Sequence, residues 1–310
     1  MDRLQVILLA LLQGVTELFP VSSLGHTVIL PGILGWNDTL HSPTFLPLLV
    51  MLHLGTAVAL LTFFWRDWLL LLRGGARVLV AGRFSRDVDP QGHGRELALV
   101  IVGTIPAGLI GLLFQKSLER LFGAPLIAAG FLIVNGGVLL LAERLWRPRR
   151  GSAPASLEVP ASGDSVADAA PSGEVGASLD DLSFPQAALI GLAQAGALFP
   201  GLSRSGLTMV AGLGTGLSHE AAARFSFLLA TPLIAAAGVL EIPQLHHAGG
   251  DVFALALIGG IISGVAAYLS VRFLMRYFAT QRLTPFAFYC VGAGAISGAY
   301  FLLQRGGILP

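Results

Sequence analysis

Charge is the property this sequence has least of. Only 12% of its 310 residues are Asp, Glu, Lys or Arg, about half of the roughly 25% that a soluble domain carries. The mean hydropathy is correspondingly high, at +0.76. Apolar residues come in long blocks rather than as stripes with a helical or strand period, which excludes a soluble protein and predicts membrane spans.

Two further shortages narrow the function. The 19 basic and 18 acidic residues leave a net charge of +1, so no global field would recruit nucleic acid. The single cysteine, Cys290, lies inside an apolar block. A disulfide framework, a Cys-ligated metal and an iron–sulfur cluster are therefore excluded, and we interpret Cys290 as a packing residue.

Six blocks are long enough to cross a bilayer as helices at 1.5 Å per residue. They cover residues 45–65, 97–114, 124–142, 225–242, 252–271 and 286–303. Four shorter apolar pieces form two pairs, each interrupted by a proline and a serine cluster: 4–19 with 24–36, and 184–199 with 206–217. None of these blocks alternates as the strands of a membrane barrel would. The predicted fold is an all-α, polytopic integral membrane protein.

The two interrupted pairs resemble each other. The segment before the first break returns 180 residues later, as Glu17-Leu18-Phe19-Pro20 and Ala197-Leu198-Phe199-Pro200. Three long blocks follow each pair, so we interpret residues 1–150 and 184–310 as two repeats, each a re-entrant broken helical hairpin plus three transmembrane helices. Because three is an odd number, the second repeat is predicted to lie inverted in the membrane.

The basic residues predict the orientation, since short cytoplasmic loops collect Lys and Arg. Three connecting segments are rich in arginine, with six in 66–96, four in 144–150 and three in 272–285. The other connections have few or none: 37–44, 115–123 and 243–251. This alternation places the first hairpin and both termini outside the cytoplasm, and the second hairpin on the cytoplasmic side.

The segment between the repeats has a different composition. Residues 151–183 are rich in Ser, Ala, Pro and Gly and carry six acidic residues without one Lys or Arg. Such a composition cannot bury enough apolar surface to fold, so we predict a disordered acidic cytoplasmic linker.

The broken hairpins are where chemistry is expected. Irregular backbone at membrane depth is tolerated only where it is buried in protein or lines a polar cavity, so the two breaks are predicted to meet near mid-membrane. In the first hairpin, Gln13 and Glu17 share a helix face, and Ser22, Ser23 and His26 follow the break. A carboxylate is costly there unless it is paired, which predicts a functional Glu17. The serines could instead cap a helix, and Gln13 and His26 could be hydrogen-bonded core residues.

The second hairpin offers a binding site for an anion. Its polar residues are Ser203, Arg204, Ser205 and Thr208. Arg204 is permanently charged and lies deep in a predicted membrane segment, so it needs an anionic partner. A helix that begins near Ser203 would aim backbone N–H groups at the same spot, an arrangement that suits phosphate.

Other polar residues in or near spans are interpreted as packing, interface or solvated groups. They are His53, Asn135, Glu241, His246 and His247.

Together the two hairpins offer the parts of a phosphoryl-transfer site. A carboxylate repels a phosphate unless a cation lies between them. We therefore expect a divalent metal ion, Mg²⁺ or Ca²⁺, held by Glu17 and the carbonyl of Gln13. Ser23 with His26 three residues later supplies a candidate nucleophile and base.

Two motifs, from Gln13 to His26 and from Pro200 to Gly206, resemble the signatures of the undecaprenyl-diphosphate phosphatase family, the bacitracin-resistance proteins. The resemblance covers nearly the whole chain outside the linker. It implies hydrolysis of undecaprenyl diphosphate to the monophosphate on the outer side of the bacterial cytoplasmic membrane, which recycles the lipid carrier for peptidoglycan synthesis and requires a divalent metal.

The same resemblance implies roles by position. The essential carboxylate would be Glu17, the nucleophile Ser23, its acid or base partner His26, and the phosphate-binding arginine Arg204. Substrate-binding and metal-binding positions would be filled by Ser22, Ser203, Ser205, Thr208 and Gln13. One departure is Leu24, where many members have Thr.

One rival function uses the same architecture. Inverted repeats with broken helices are typical of alternating access, so a transporter or a lipid-phosphate flippase is the alternative. In either case the expected partners are a polyprenyl diphosphate lipid and the bilayer, without nucleic acid. The sequence leaves open whether the protein forms a homodimer.

Overall fold

The structure, a computed structural model, describes residues 2–119, 124–146, 177–247, 250–279 and 282–308. Its regular elements in these ranges are all helical. The helices are α1 Arg3–Thr16, α2 Ser23–Ile33, α3 Asn37–Leu40, α4 Phe45–Phe63, α5 Trp65–Ala81, α6 His93–Glu119, α7 Pro125–Leu145, α8 Phe184–Gln194, α9 Arg204–Gly214, α10 His219–His247, α11 Gly250–Phe278 and α12 Thr284–Arg305. The predicted all-α class is confirmed.

Six of these helices are long and apolar enough to cross a membrane, and each coincides with a predicted block. They are α4, α6, α7, α10, α11 and α12. Several extend beyond the apolar block, as α10 and α11 do with 29 residues each. The protein is therefore a multi-pass membrane protein.

The arginine-rich segment 66–96 is not the loop that its charge suggested. Most of its first half is α5, a 17-residue helix that buries Leu71, Gly74 and Val78 and exposes most of its remaining side chains. The helix is amphipathic, and arginines interrupt its apolar residues. It is therefore not one of the six helices that could cross a membrane.

The two interrupted pairs form short helices, as predicted. α1 has 14 residues, and α2, α8 and α9 have 11 each, lengths of about 16 to 21 Å against the roughly 30 Å of a hydrocarbon core. Neither α1 nor α8 continues directly into its partner, because a stretch containing proline, Pro20 or Pro200, separates the helices.

The first helix of each hairpin packs against the middle transmembrane helix of the other half. α1 packs on α11, and α8 packs on α6. Both contacts are at backbone distance. A Cβ added at Gly14 would lie 2.3 Å from the Ser263 carbonyl oxygen, and one added at Gly191 would lie 2.0 Å from the Gly103 carbonyl oxygen. Because each half packs a hairpin helix on the other, the two halves interlock, which agrees with a repeat. The inversion of the second repeat in the membrane stays a prediction.

Ion pairs connect the helices of the arginine-rich end. Arg224 at the start of α10 lies 2.8 Å from Asp67 of α5 and 2.8 Å from Glu96 of α6. Nearby, Glu143 of α7 accepts hydrogen bonds from His219 Nε2 at 2.8 Å and from the Leu283 backbone N–H at 2.7 Å. These contacts hold five helices together at the end predicted to be cytoplasmic.

Residues 151–176 of the predicted linker 151–183 lie outside the described part of the chain. From 177 onward the chain is packed: Ala177 forms a β-bridge with Leu217, and Leu179 and Leu182 are buried. Arg95 donates hydrogen bonds to the Asp180 and Leu182 carbonyl oxygens. The second half therefore begins earlier than residue 184. The side chains of Glu241, His246 and His247 lie outside the described part.

Candidate active site

The first break follows the last turn of α1. Ser22 caps α2 with a positive φ of 67°, a left-handed conformation that costs a non-glycine residue strain. Two backbone donors converge on its hydroxyl: the Gly25 N–H at 3.1 Å and, from the other hairpin, the Gly201 N–H at 3.2 Å. The strained turn is thus stabilised by both hairpins at once.

The second break has the same construction. A 3₁₀ turn, Ala195–Leu198, leads to Pro200 and to Gly201, whose φ of 108° favours glycine. Ser203 then caps α9 by accepting a hydrogen bond from the Gly206 N–H at 3.1 Å. Both hairpins therefore present a serine-capped helix N-terminus, α2 at Ser23 and α9 at Arg204.

The breaks contact each other, as the sequence predicts. The hydroxyls of Ser203 and Ser205 donate to the Phe19 carbonyl oxygen, at 3.4 and 3.1 Å. A Cβ added at Gly25 would lie 2.9 Å from the Gly201 Cα, so the two chains touch at backbone distance. Two helix N-termini, each with the positive end of its dipole, are thereby brought to one place, which favours an anion.

A buried carboxylate lies at the centre of this arrangement. Glu17 Oε1 accepts a hydrogen bond from Arg204 Nη2 at 2.6 Å, and the Ser23 hydroxyl donates to Oε2. Gln13 Nε2 also donates to Oε2, at 2.8 Å, and His53 Nε2 lies 3.2 Å from the same oxygen. Residues from α1, α2, α4 and α9 thus converge on one side chain.

Arg204 retains capacity for a ligand. Its Nη2 is occupied by Glu17, while its Nη1 is buried and has no hydrogen-bond partner among the described residues. A guanidinium group offers a fork of donors that suits a phosphate oxygen pair. The contact with Glu17 therefore leaves one donor of the arginine unused.

His26 is placed differently from the expected nucleophile–base pair. Its Nδ1 donates to the Ser22 carbonyl oxygen at 2.6 Å, and its Nε2 lies 2.7 Å from the Tyr289 hydroxyl, with the two rings stacked. Ser23 instead bonds to Glu17. The structure brings Ser23, Glu17 and Arg204 together, and it directs both ring nitrogens of His26 to other groups.

Thr208 and Ser205 support the second hairpin from behind. The Thr208 hydroxyl donates to the Arg204 carbonyl oxygen at 2.8 Å and lies 2.5 Å from Ser226 Oγ on α10. Both residues are buried and neither lines the cavity described next. These contacts hold the start of α9 in place.

A cavity of about 370 Å³ opens beside the cluster. Its polar lining includes Glu17, Ser22, Ser23, His53, Ser203 and Arg204. Apolar residues from α4, α6, the 3₁₀ turn and α10 line the rest, among them Val50, Leu112, Leu198, Leu233 and Ile234. Leu24, the departure noted in the first motif, also lines it. A ligand with a charged head and an apolar tail matches this lining.

Two cavity residues escaped the sequence reasoning. His53 was interpreted as a packing residue, yet it lines the cavity and contacts Glu17. Gln194 also lines it, with a buried side-chain oxygen that has no partner in the described part of the chain. The only signal in the sequence was the polarity of these residues within apolar blocks.

Gln13 and Glu17 carry the oxygen atoms that the expected divalent cation would use. Gln13 Oε1 is buried without a described partner, and the Glu17 carboxylate lies one helical turn further along α1. The described ranges contain no group of three or more His, Cys, Asp or Glu residues that could hold a metal ion, so phosphate and water are the expected further ligands. Mg²⁺ is commonly held in this way, by one or two protein oxygens plus substrate phosphates, and the donor types of Glu17 and Gln13 fit it. Both Glu17 oxygens already accept hydrogen bonds, so a cation there would compete with Arg204, Ser23 or the Gln13 amide.

Comparison with known proteins identifies the family. Residues 6–296 match the family described as Bacitracin resistance protein BacA. Undecaprenyl-diphosphatase 2 of Burkholderia lata is 48% identical over 300 residues, which cover 96% of this chain and 97% of the relative. Undecaprenyl-diphosphatase of Acidiphilium cryptum is 48% identical over 303 residues, with the same coverage of both chains. The chain therefore belongs to the bacitracin resistance protein family.

Proposed function

We propose that this protein is a membrane phosphatase that hydrolyses undecaprenyl diphosphate to undecaprenyl phosphate and inorganic phosphate. In this function it recycles the lipid carrier of peptidoglycan synthesis and confers bacitracin resistance. Family membership and relatives at 48% identity support the substrate and the reaction. The observation that carries the chemistry is the convergence of Ser23, Glu17 and Arg204 beside an amphipathic cavity.

The substrate would bind with its two chemical parts separated. The diphosphate lies between the hairpins, where Arg204 Nη1 and the N-termini of α2 and α9 supply donors and positive potential. The polyprenyl tail lies along the apolar lining, from which it leaves the protein into the bilayer. Ser22, Ser203, Ser205 and Thr208 hold these N-termini in position rather than carrying the charge.

The reaction follows from the hydrogen bond between Ser23 and Glu17. Ser23 Oγ, or a water that it positions, attacks the terminal phosphorus, and its proton passes to the Glu17 carboxylate. The bond from phosphorus to the bridging oxygen breaks, and undecaprenyl phosphate leaves. Attack by water gives inorganic phosphate directly. Attack by Ser23 gives a phosphoserine: Glu17 releases its proton, takes another from a water that attacks the phosphorus, and passes it to Ser23 Oγ as inorganic phosphate leaves. Arg204 stabilises the charge that develops on the phosphoryl oxygens. His26 holds the Ser22 carbonyl and so positions the neighbouring serine.

A divalent cation, Mg²⁺ or Ca²⁺, held by Glu17 and Gln13 would neutralise charge on the diphosphate when bound. Gln13 contributes a neutral amide oxygen, so we expect a weaker metal affinity than with a second carboxylate.

The location of the activity rests on the arginine distribution. The arginine-rich segments 66–96, 144–150 and 272–285 would face the cytoplasm of a bacterium. The first hairpin then enters the inner membrane from the outer side, and the cavity receives its lipid from the outer leaflet.

Phosphate release in detergent separates this function from transport. Purified protein in micelles has no second compartment, so a transporter or flippase without phosphatase activity would release no phosphate. We expect the protein to release one inorganic phosphate per undecaprenyl diphosphate and to leave undecaprenyl phosphate as the lipid product. Intact substrate after prolonged incubation with Mg²⁺ or Ca²⁺ would contradict the proposed function.

A further inference from the structure

Asn135 is a polar residue in the middle of an apolar span, and it is fully buried, with 0% of its surface exposed. Its Nδ2 donates to the Pro20 carbonyl oxygen at 3.0 Å, and its Oδ1 accepts a hydrogen bond from the Ser203 N–H at 3.0 Å. The same Nδ2 lies 3.3 Å from Cys290 Sγ of α12. One amide therefore bonds to the backbone of both breaks.

The two backbone groups that Asn135 holds lie within three residues of the reacting groups in the sequence. Pro20 lies three residues before Ser23 and three after Glu17, and Ser203 directly precedes Arg204. The hydroxyl and backbone bonds between the hairpins join the breaks only to each other. Asn135 joins both of them to α7, a regular 21-residue helix that packs against α12.

We propose that Asn135 is a positioning residue that sets the distance between Ser23 and Arg204. This role rests on the phosphatase function proposed above and adds a residue to it. An amide carries a donor and an acceptor side by side. Here the donor binds the Pro20 carbonyl oxygen and the acceptor binds the Ser203 N–H, and buried backbone groups need such partners. Neither an apolar residue of the same volume nor a shorter polar one can make both bonds.

Misplacement of reacting groups lowers the turnover rate more than it lowers binding. An error of about 1 Å costs on the order of 100-fold in rate, while most of the apolar lining that holds the tail is made by α4, α6 and α10. For Asn135→Leu we expect kcat to fall by about 10- to 100-fold and KM to change by less than about threefold. A residue that only filled space would alter stability and leave kcat of the folded protein unchanged.

Cys290→Ala is the matched control. Cys290 lies in the same buried space and contacts the same amide, but its removal leaves both backbone bonds of Asn135 intact. Its Sγ also contacts the Pro20 carbonyl oxygen at 3.7 Å, so the control removes one weak contact to the first break, and no hydrogen bond of Cys290 to the second break is present in the described part of the chain. We expect its kcat to stay within about twofold of the unmodified protein. Its loss of thermal stability should be small and comparable with that of Asn135→Leu. If Asn135→Leu does not fold, Asn135→Ser takes its place, since a serine adds no bulk and still loses at least one bond.

A double variant tests whether Asn135 acts on the spacing of the breaks. Ser22 bonds to Gly201 and so links the same two segments. If both links set one distance, Asn135→Leu will lower kcat by a different factor in a Ser22→Ala background than it does alone, because residues in one network are not additive.

The outcomes are distinguishable. An unmodified protein that releases no phosphate overturns the proposed function and this role with it. An active protein in which folded Asn135→Leu or Asn135→Ser keeps kcat within about twofold, or in which Cys290→Ala loses as much as they do, overturns the role of Asn135 alone. A selective loss of kcat in the Asn135 variants supports it.

Discussion

At the scale of single residues, the site depends on one carboxylate that four side chains from four helices contact. Glu17 accepts from Gln13, Ser23 and Arg204 and lies beside His53. A buried charge of this kind is stable only because each oxygen is hydrogen-bonded or ion-paired. The same partners fix its orientation toward Ser23.

His53 is predicted to hold the Glu17 carboxylate in that orientation. Its Nδ1 donates to the Leu49 carbonyl oxygen at 2.7 Å, and its Nε2 lies 3.2 Å from Glu17 Oε2. Because both partners are acceptors, the ring makes both hydrogen bonds as the protonated imidazolium. For His53→Ala we expect kcat to fall by about 10- to 100-fold, the value of one hydrogen bond to a charged group. His53→Gln retains an N–H donor of similar reach, so it should recover most of the loss in the same phosphate-release assay. Equal activities of both variants would contradict this role.

The sequence led to Glu17, Ser23 and Arg204 because a charge or hydroxyl beside a break in an apolar block has few structural uses. It did not lead to His53, since no local pattern reports that a residue 36 positions after Glu17 returns to it. The expected pairing of Ser23 with His26 came from their spacing and from the family resemblance. The direction of the His26 ring was set by Tyr289, which lies 263 residues away in the chain.

At the scale of elements, the two short helices α2 and α9 are predicted to tolerate no displacement where their N-termini meet. Gly201 has a φ of 108°, and a Cβ there would lie 2.3 Å from the Ala128 carbonyl oxygen of α7. Gly201→Ala should lower both thermal stability and kcat, by strain of about 1 to 3 kcal/mol from the backbone conformation alone. Gly137→Ala on α7 is the control, because nothing lies within 4 Å of its added Cβ. Thermal unfolding in detergent and kcat measure both effects, and equal behaviour of the two variants would contradict the geometry.

The elements themselves were predictable to different degrees. The six long apolar blocks specify their helices by length and composition, and the two prolines specify the breaks. The helix α5 was not predicted, because its arginines made the segment resemble a charged loop. Its apolar face is narrow, and Leu71 on that face is fully buried. Residues 177–183 also escaped prediction, since their acidic composition gave no indication that Leu179 and Leu182 would be buried.

At the scale of the whole molecule, the sequence predicted two repeats but not the reciprocal packing of α1 on α11 and of α8 on α6. The sequence similarity around the two breaks indicated two related halves, but it held no information on which spans exchange partners. The interlock explains why the two breaks face each other at one site.

The orientation in the membrane can be tested with single cysteines. Asp38 and Asp87 are both exposed, Asp38 in the arginine-free segment 37–44 and Asp87 in the arginine-rich segment 66–96. The native Cys290 is buried, so it gives little background. In intact cells, we expect a membrane-impermeant thiol reagent to label Asp38→Cys and to label Asp87→Cys only after the membrane is opened. The reverse pattern would place the cavity on the cytoplasmic side.

The most direct test of the central claim is the rate of phosphate release from undecaprenyl diphosphate by purified Glu17→Gln and Arg204→Ala proteins in detergent. Each removes one member of the ion pair at the site, and each should lower kcat by at least about 100-fold. Arg276→Ala, which removes an exposed arginine of α11, serves as control and should retain full activity. If Glu17→Gln and Arg204→Ala, folded as judged by thermal unfolding, released phosphate as fast as the control, the site would not lie between the two hairpins.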